Sequence, residues 1–458
     1  MLLVAGLRAS PRALAASAAL LLTASGALAL AAAGSPRSAF AGTVVSDGFA
    51  AFFRVALAAV AVLSVIASLP LVRSGEGPAP EYYALVLLAT SGMMLMASAG
   101  DLILVFVALE TFSLAFYVMA GMRRRRRDAQ EASLKYFLTG SFASAFFLYG
   151  VALVYGGSGS TRLLPIADRM IPGLIAGRGL VLAGLALLVV GMAFKIAAVP
   201  FHMWTPDVYQ GSPAPAVGFM AAAAKLAAFA VLLRLVGLVF PSLASDWRPA
   251  LSALAVLTMV VGSIVAVAQS DVKRMLAHSA IAHSGFLLVG VAAGGTRGVS
   301  GSLFYLAVYA AVIVGAFAVV QAVAGEEEHG LSLDEYRGLW SRQPFLAVAF
   351  AALLISLAGF PPTAGFWAKL EVFAASVEAG QPSLVVIGVL ASAVAASFYL
   401  RVIVLMFLEE PREWVGRPEG VDAASGLVAL VAAIVVAVVG IVPQPLLELA
   451  RNATFIPR

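Results

Sequence analysis

Residues 191–200 read Gly191-Met192-Ala193-Phe194-Lys195-Ile196-Ala197-Ala198-Val199-Pro200, and the lysine at their centre decides the fold. The surrounding run, 180–200, is apolar enough to enter a bilayer, and Lys195 lies too deep in it for its ammonium to reach water easily. A charge at the middle of a membrane helix costs about 2.5–3.5 kcal/mol on insertion scales. Pro200 removes a backbone donor and clashes with the preceding turn, and such a break is tolerated at membrane depth only where protein or a wet cavity satisfies the freed groups. The stretch therefore predicts a broken transmembrane helix that lines a polar interior. A second such stretch follows. The apolar run 343–379 is too long for one crossing and contains Gly359-Phe360-Pro361-Pro362 with Lys369 shortly after it. Paired discontinuous helices in corresponding places are the mark of an internally duplicated transporter fold.

The rest of the chain agrees. Of 458 residues 62% are hydrophobic and only 12% charged, with a mean hydropathy of +0.99, too little polar surface to cover a water-soluble globule of this size. Apolar spans fall near 12–33, 48–71, 82–99, 101–121, 132–156, 180–200 and 213–240, then near 249–269, 274–294, 299–324, 343–379, 382–408 and 424–448, about thirteen by the hydropathy criterion. Arg8 and Arg12 ahead of an apolar stretch ending in Ala27-Leu28-Ala29 imitate a secretory signal, but the apolar run continues to Ala33, which predicts a retained helix.

The formal charge of +5 does not indicate nucleic acid, because the arginines sit in short loops between spans, where they orient the chain. The run Arg123 to Arg127 is expected to face the cytoplasm, together with Lys273, Arg274, Arg337, Arg342, Arg412 and Arg417. The opposite loops hold Arg37, Arg162, Arg169, Arg178, Arg248 and Arg297. This asymmetry predicts a cytoplasmic N-terminus and a periplasmic C-terminus. The chain has no cysteine, so it forms no disulfide and offers no thiolate to an iron–sulfur cluster.

Function is expected to reside in the ionisable groups inside the spans, since each is costly there unless it faces a paired or hydrated interior. Glu110 is central in 101–121, Lys225 is central in Ala221-Ala222-Ala223-Ala224-Lys225-Leu226-Ala227-Ala228, and Lys195 and Lys369 accompany the two breaks. Together they predict a polar file in the membrane plane, able to exchange protons when burial and a neighbouring carboxylate compete over a lysine. A static buried ion pair that fixes helix packing is the competing explanation for any one of them. His283 can act as a relay because imidazole titrates near neutrality, or it can be a hydrogen-bonded interior histidine beside Ser279 and Ser284. His278 lies five residues before it, poor spacing for a shared metal on one helix. His202 and His329 lie at or beyond span ends and carry no expected role. Lys135 is expected to anchor the cytoplasmic start of its helix or to admit protons there. Arg54, Arg234 and Arg401 are expected to snorkel or to anchor carbonyls. Glu326, Glu327 and Glu328 read as a solvated acidic loop. No phosphate loop, zinc-spaced set or nucleophile elbow is present.

Three motifs carry a family likeness: Glu131-Ala132-Ser133-Leu134-Lys135-Tyr136-Phe137; the block from Phe194-Lys195 through Pro200-Phe201-His202-Met203-Trp204-Thr205-Pro206-Asp207-Val208-Tyr209-Gln210-Gly211-Ser212-Pro213-Ala214-Pro215; and Lys273-Arg274-Met275-Leu276-Ala277-His278-Ser279 with Ile281-Ala282-His283. From about residue 48 onward the chain resembles the N subunits of the proton-pumping NADH:quinone oxidoreductase, respiratory complex I. The resemblance implies an all-helical, antiporter-like fold with two inverted five-helix repeats, each containing a broken helix. The repeats would occupy 82–240 and 241–409, with N-terminal helices in 1–81 and a C-terminal helix in 410–458. The likeness begins one helix late, so the family's first helix is expected to be absent. His278 departs from the commoner residue at its position.

The resemblance also implies roles. Glu110 pairs with Lys195, Lys225 bridges to the centre, Lys369 lies toward the exit, His283 falls on the polar axis, and Lys135 matches a further family lysine. Protons would pass from cytoplasm to periplasm, driven by quinone reduction elsewhere in a hetero-oligomer in the bacterial inner membrane. NADH, FMN, iron–sulfur clusters and quinone would be bound by partner subunits, with no cofactor or metal on this chain. The alternatives are a subunit of a multi-subunit cation/proton antiporter, and a structural scaffold whose buried charges only hold helices together.

Overall fold

The computed structural model describes residues 10–170, 177–325, 331–411, 422–453 and 455. Arg8, Glu326, Glu327, Glu328, His329, Arg412 and Arg417 lie outside the described residues. The elements are α1 (Pro11–Ala32), a small antiparallel hairpin of β1 (Arg37–Ala39) and β2 (Val44–Ser46), α2 (Gly48–Ala67), α3 (Ala79–Ala97), α4 (Leu102–Ala120), α5 (Arg127–Ser158), α6 (Arg178–Lys195), α7 (Trp204–Gly211) and α8 (Ala214–Arg234). After them come α9 (Ala244–Val267), α10 (Val272–Ala293), α11 (Gly295–Ala324), α12 (Pro344–Ala358), α13 (Ala364–Glu378), α14 (Pro382–Leu408), α15 (Ala423–Ile441) and the short α16 (Gln444–Asn452). Eleven of the described helices are long and apolar enough to cross a membrane. The other two expected spans are α3 and the α12–α13 pair. The hairpin is too short and too exposed to announce itself in the sequence pattern.

Helix starts follow capping chemistry. Asp47, Asp101, Asp271 and Asp422 precede α2, α4, α10 and α15, and each carboxylate accepts a hydrogen bond from a first-turn backbone N–H. A short carboxylate at that position satisfies donors that would otherwise lack partners and suits the positive end of the helix dipole.

Leaving aside the short helices Leu163–Arg169 and Leu339–Arg342, residues 79–240 supply five long helices when the broken α6–α7 pair counts as one, and residues 244–408 supply five more, with α12–α13 as the broken member. The fourth helix is the broken one in each set, and an odd number of crossings makes the second set run opposite to the first. The α8 and α10 windows are fully buried inside the protein, whereas α1 is only 28% buried. The most enclosed helices are thus the carriers of Lys225 and His283, and the outer helices leave much of their apolar surface exposed.

Candidate functional site: a polar file across two helix breaks

The first break opens where α6 ends at Lys195. Ala197 has a positive φ of 59° and the chain does not resume helix until Trp204. Its backbone is satisfied from other helices, because Val199 N–H donates to Thr258 Oγ1 at 3.0 Å and Trp204 Nε1 donates to the Phe194 carbonyl at 3.2 Å. The Ile196 carbonyl accepts from Lys225 Nζ at 3.3 Å and from the Ser284 hydroxyl at 2.5 Å. The second break follows Ala358. Gly359, at φ 88°, caps α12 in the left-handed conformation that glycine adopts without penalty. Lys369 Nζ donates to the Ala358 carbonyl at 2.8 Å, and Gly365 N–H donates to Ser356 Oγ at 3.1 Å. Both breaks therefore place a carbonyl freed from the helix against a lysine ammonium. The two defects are mutually compensating: the orphan acceptor and the buried donor satisfy each other.

All three lysines are buried, with Lys195 3%, Lys225 2% and Lys369 6% exposed. Lys195 Nζ reaches the Tyr117 hydroxyl at 3.5 Å and sits 5.3–5.6 Å from the ring centres of Tyr117, Tyr136, Phe112 and Phe194. Aromatic faces carry partial negative charge and stabilise a cation, the more so when water is excluded. The half-buried Glu110 carboxylate accepts from the Ser144 hydroxyl and lies within electrostatic reach of Lys195. Among the described residues no direct ion pair joins Glu110 to Lys195. The two charges are separated, with the carboxylate held by a serine and the ammonium by aromatic rings.

Lys225 Nζ donates to the Ala280 carbonyl, the Ile196 carbonyl and the Ser284 hydroxyl, so its three protons meet three neutral acceptors. Next to Ser284 on α10, His283 bonds the Tyr305 hydroxyl through Nδ1 at 2.7 Å and the Tyr399 hydroxyl through Nε2 at 3.2 Å. Ser279 bonds Tyr399 in turn. His283 lies within electrostatic reach of both Lys225 and Lys369. The Phe286 ring stands between, 5.9 Å from the His283 ring and 4.7 Å from Lys369 Nζ. Glu110, Lys195, Lys225, His283 and Lys369 thus come from α4, α6, α8, α10 and α13, with Ile196 and Ser284 between Lys195 and Lys225 and Phe286 between His283 and Lys369.

Lys135 stands apart. Its side chain is 43% exposed and pairs with Glu131 at 2.6 Å and Asp207 at 2.7 Å, while Arg274 holds Asp207 from the other side at 2.8 Å. Gln210 joins Arg274 at 3.0 Å and Asp271 at 3.1 Å, so the Thr205-Pro206-Asp207-Val208-Tyr209-Gln210 segment ties α5, α7 and α10 together at this end. Arg401 anchors the carbonyls of Val267 and Gln269. Arg234 does more than anchor: besides the Ala97 carbonyl it forms a buried two-pronged pair with Asp47, at 2.8 and 3.0 Å. His278 lies on the same helix as His283 with its Nδ1 buried. Ser144, Tyr117, Tyr305 and Tyr399 are participants that the sequence analysis does not name, and Ser284, expected beside His283, bonds Lys225 while His283 takes the two tyrosines. Tyr117 follows Glu110 by seven residues and Ser284 adjoins His283, which places each beside a known charge; Ser144, Tyr305 and Tyr399 have no such local signal.

An inward-facing series of lysines and a glutamate threaded through two broken helices defines an antiporter-like membrane protein. The family described as NADH:quinone oxidoreductase/Mrp antiporter, TM matches residues 99–395, and the chain belongs to it, on the branch of the NADH-quinone oxidoreductase N subunits. The NADH-quinone oxidoreductase subunit N of Acidothermus cellulolyticus is 46% identical over 81% of this chain and 72% of its own length. That of Trichlorobacter lovleyi is 43% identical over 91% and 85%. Among solved structures, a chain of respiratory complex I from Thermus thermophilus with bound aureothin superposes with a TM-score of 0.85 at 37% identity, covering 98% of this chain and 97% of that one. A chain of the Mrp complex from Dietzia sp. shares the fold, with a TM-score of 0.86 at 24% identity over 97% and 92%.

Proposed function

We propose that this chain is a proton-translocating subunit N of an NADH:quinone oxidoreductase in the bacterial inner membrane, and that Glu110, Lys195, Lys225, His283 and Lys369 relay the protons. The observation that supports the reading is that each helix break sets a freed carbonyl against a buried lysine, Ile196 against Lys225 and Ala358 against Lys369. Each ammonium is held by neutral oxygens or ring faces, so its proton is not locked into a tight ion pair, and a neighbouring group that gains or loses charge can shift where the proton resides. The buried Tyr309 hydroxyl has no protein partner among the described residues, and the Tyr309 ring lies 5.4 Å from Lys225 Nζ and 5.2 Å from the His283 ring. A buried hydroxyl in that position is suited to a bridging water. Protons would enter from the cytoplasm and leave to the periplasm, with energy from quinone reduction in partner subunits that bind NADH, FMN, iron–sulfur clusters and quinone. Lys135, ion-paired and half exposed, serves at the entrance as an anchor or a first acceptor.

A cation/proton antiporter subunit rests on the shared family and fold, with the Mrp chain at 24% identity, whereas the N-subunit relatives match at 41–47%. The test is replacement of Lys195 by methionine, which keeps the stem and removes the charge. In membranes where the complex assembles with its flavin and iron–sulfur proteins, proton pumping per NADH is expected to fall severalfold or more. Intact pumping in an assembled Lys195→Met complex would return the buried charges to a structural role, and co-purification without flavin proteins would favour the antiporter.

A further inference from the structure

The strongest charge run on the chain does more than orient it. Gly75, Pro78, Glu81, Met122, Arg124 and Arg125 line an open cleft of about 500 Å3 between the loop before α3 and the loop after α4. The five guanidinium groups in the run 123–127 are not equivalent. Arg123 is buried and paired with Glu76, and Arg126 pairs with Asp128 at 3.0 Å. Arg124 and Arg125 are exposed, and among the described residues their side chains make no hydrogen bond or ion pair. Glu81 is the one remaining carboxylate of the lining, and it offsets only one of these two charges. A concave surface with a net positive charge focuses its field and concentrates counter-ions, and adjacent guanidinium forks match phosphate oxygens in geometry.

The level of the cleft selects the anion. It opens where α4 has just ended at Ala120 and α3 is about to begin at Ala79, the edge of the hydrocarbon. Leu114 and Val118, one turn apart on α4 and 53% and 56% exposed, form a lipid-facing ridge that leads up to Met122 in the cleft. A free phosphate would use only the arginines; a phospholipid uses the arginines and the ridge together. We propose that this cleft binds the phosphate headgroup of an anionic phospholipid through Arg124 and Arg125, with an acyl chain lying along Leu114 and Val118. Basic pockets at the membrane surface recognise anionic headgroups in this way. The inference does not depend on the proton relay.

The full chain, purified in detergent and stripped of lipid, is titrated with phosphatidylglycerol, with phosphatidylcholine of the same acyl chains, and with inorganic phosphate, and bound molecules are counted by native mass spectrometry. One phosphatidylglycerol is expected to bind about tenfold more tightly to the natural chain than to an R124Q/R125Q variant, and phosphatidylcholine is expected not to distinguish the two. An R124K/R125K variant keeps the loop charge that sets orientation and is expected to fall between them, because lysine lacks the bidentate fork. Equal phosphatidylglycerol binding by natural and R124Q/R125Q chains overturns the proposal. So does binding of inorganic phosphate as tight as that of the lipid, or a preference unchanged in R124Q/R125Q while an acidic partner loop protects these arginines in the assembled complex.

Discussion

At the scale of single residues, the surprise is how little direct charge pairing the buried file contains. Lys225 has only neutral acceptors, and one of them, Ser284, also donates to the Ile196 carbonyl at the first break. Ser284 therefore holds the carbonyl at the first break and the Lys225 ammonium with one oxygen. Replacing it by alanine leaves Lys225 with two acceptors and frees one donor in a water-poor site, and hydrogen bonds to charged groups contribute about 1.5–3 kcal/mol. Ser284→Ala is expected to slow proton pumping severalfold while NADH oxidation by uncoupled membranes persists, which paired measurements of pumping and electron transfer will read. The positions of the charges are legible in the sequence because an ionisable residue in an apolar window stands out. Their partners are not, since serine, tyrosine and backbone oxygens are ordinary in any helix: Ser144 and Tyr399 look like their neighbours until α5 and α14 are packed against Glu110 and His283.

At the scale of elements, the second break is shaped by close packing as well as by proline. A Cβ on Gly365, the second residue of α13, would collide with the Ser356 carbonyl at the end of α12. That atom is backbone and cannot swing away, so Gly365→Ala must push the half-helices apart, and overpacking of this kind costs about 1–3 kcal/mol. The displacement also moves Lys369 from the Ala358 carbonyl. The expected outcome is a lower melting temperature of the purified chain together with weakened pumping. Sequence shows that helix 343–379 must break, because its length and its two prolines allow nothing else, but it does not show that the freed carbonyl will be claimed by Lys369. The first break opens directly after Lys195, several residues earlier than Pro200 suggests, since Ala197 adopts a left-handed conformation that nothing in its identity announces.

At the scale of the whole molecule, a buried charge pair joins the N-terminal helices to the core in addition to their apolar packing. Asp47, at the start of α2, meets Arg234 at the end of α8 in a two-pronged contact with both groups nearly inaccessible, 1% and 3% exposed. Removing one partner of such a pair costs about 3–5 kcal/mol because the other charge is left buried, whereas replacing both by apolar groups is often nearly neutral. Asp47→Asn is expected to lower thermal stability strongly, and Asp47→Asn with Arg234→Met is expected to recover much of it. A double-mutant cycle on melting temperature checks both statements. Stability that does not recover in the double variant would mean that the lost Arg234 contact with the Ala97 carbonyl on α3, and not the charge pair, carries the effect.

By itself the sequence determined that this chain lives in lipid, where its helices cross, which two of them break, and which charges lie inside, because hydropathy and the cost of burying charge add up locally along the chain. Only the tertiary structure decided that Glu110 is held by Ser144 instead of touching Lys195, that Lys225 closes on the first break, and that His283 stands between two tyrosines. Those choices depend on the rotation and depth at which helices distant in sequence meet, and no local sum of side-chain properties contains that geometry.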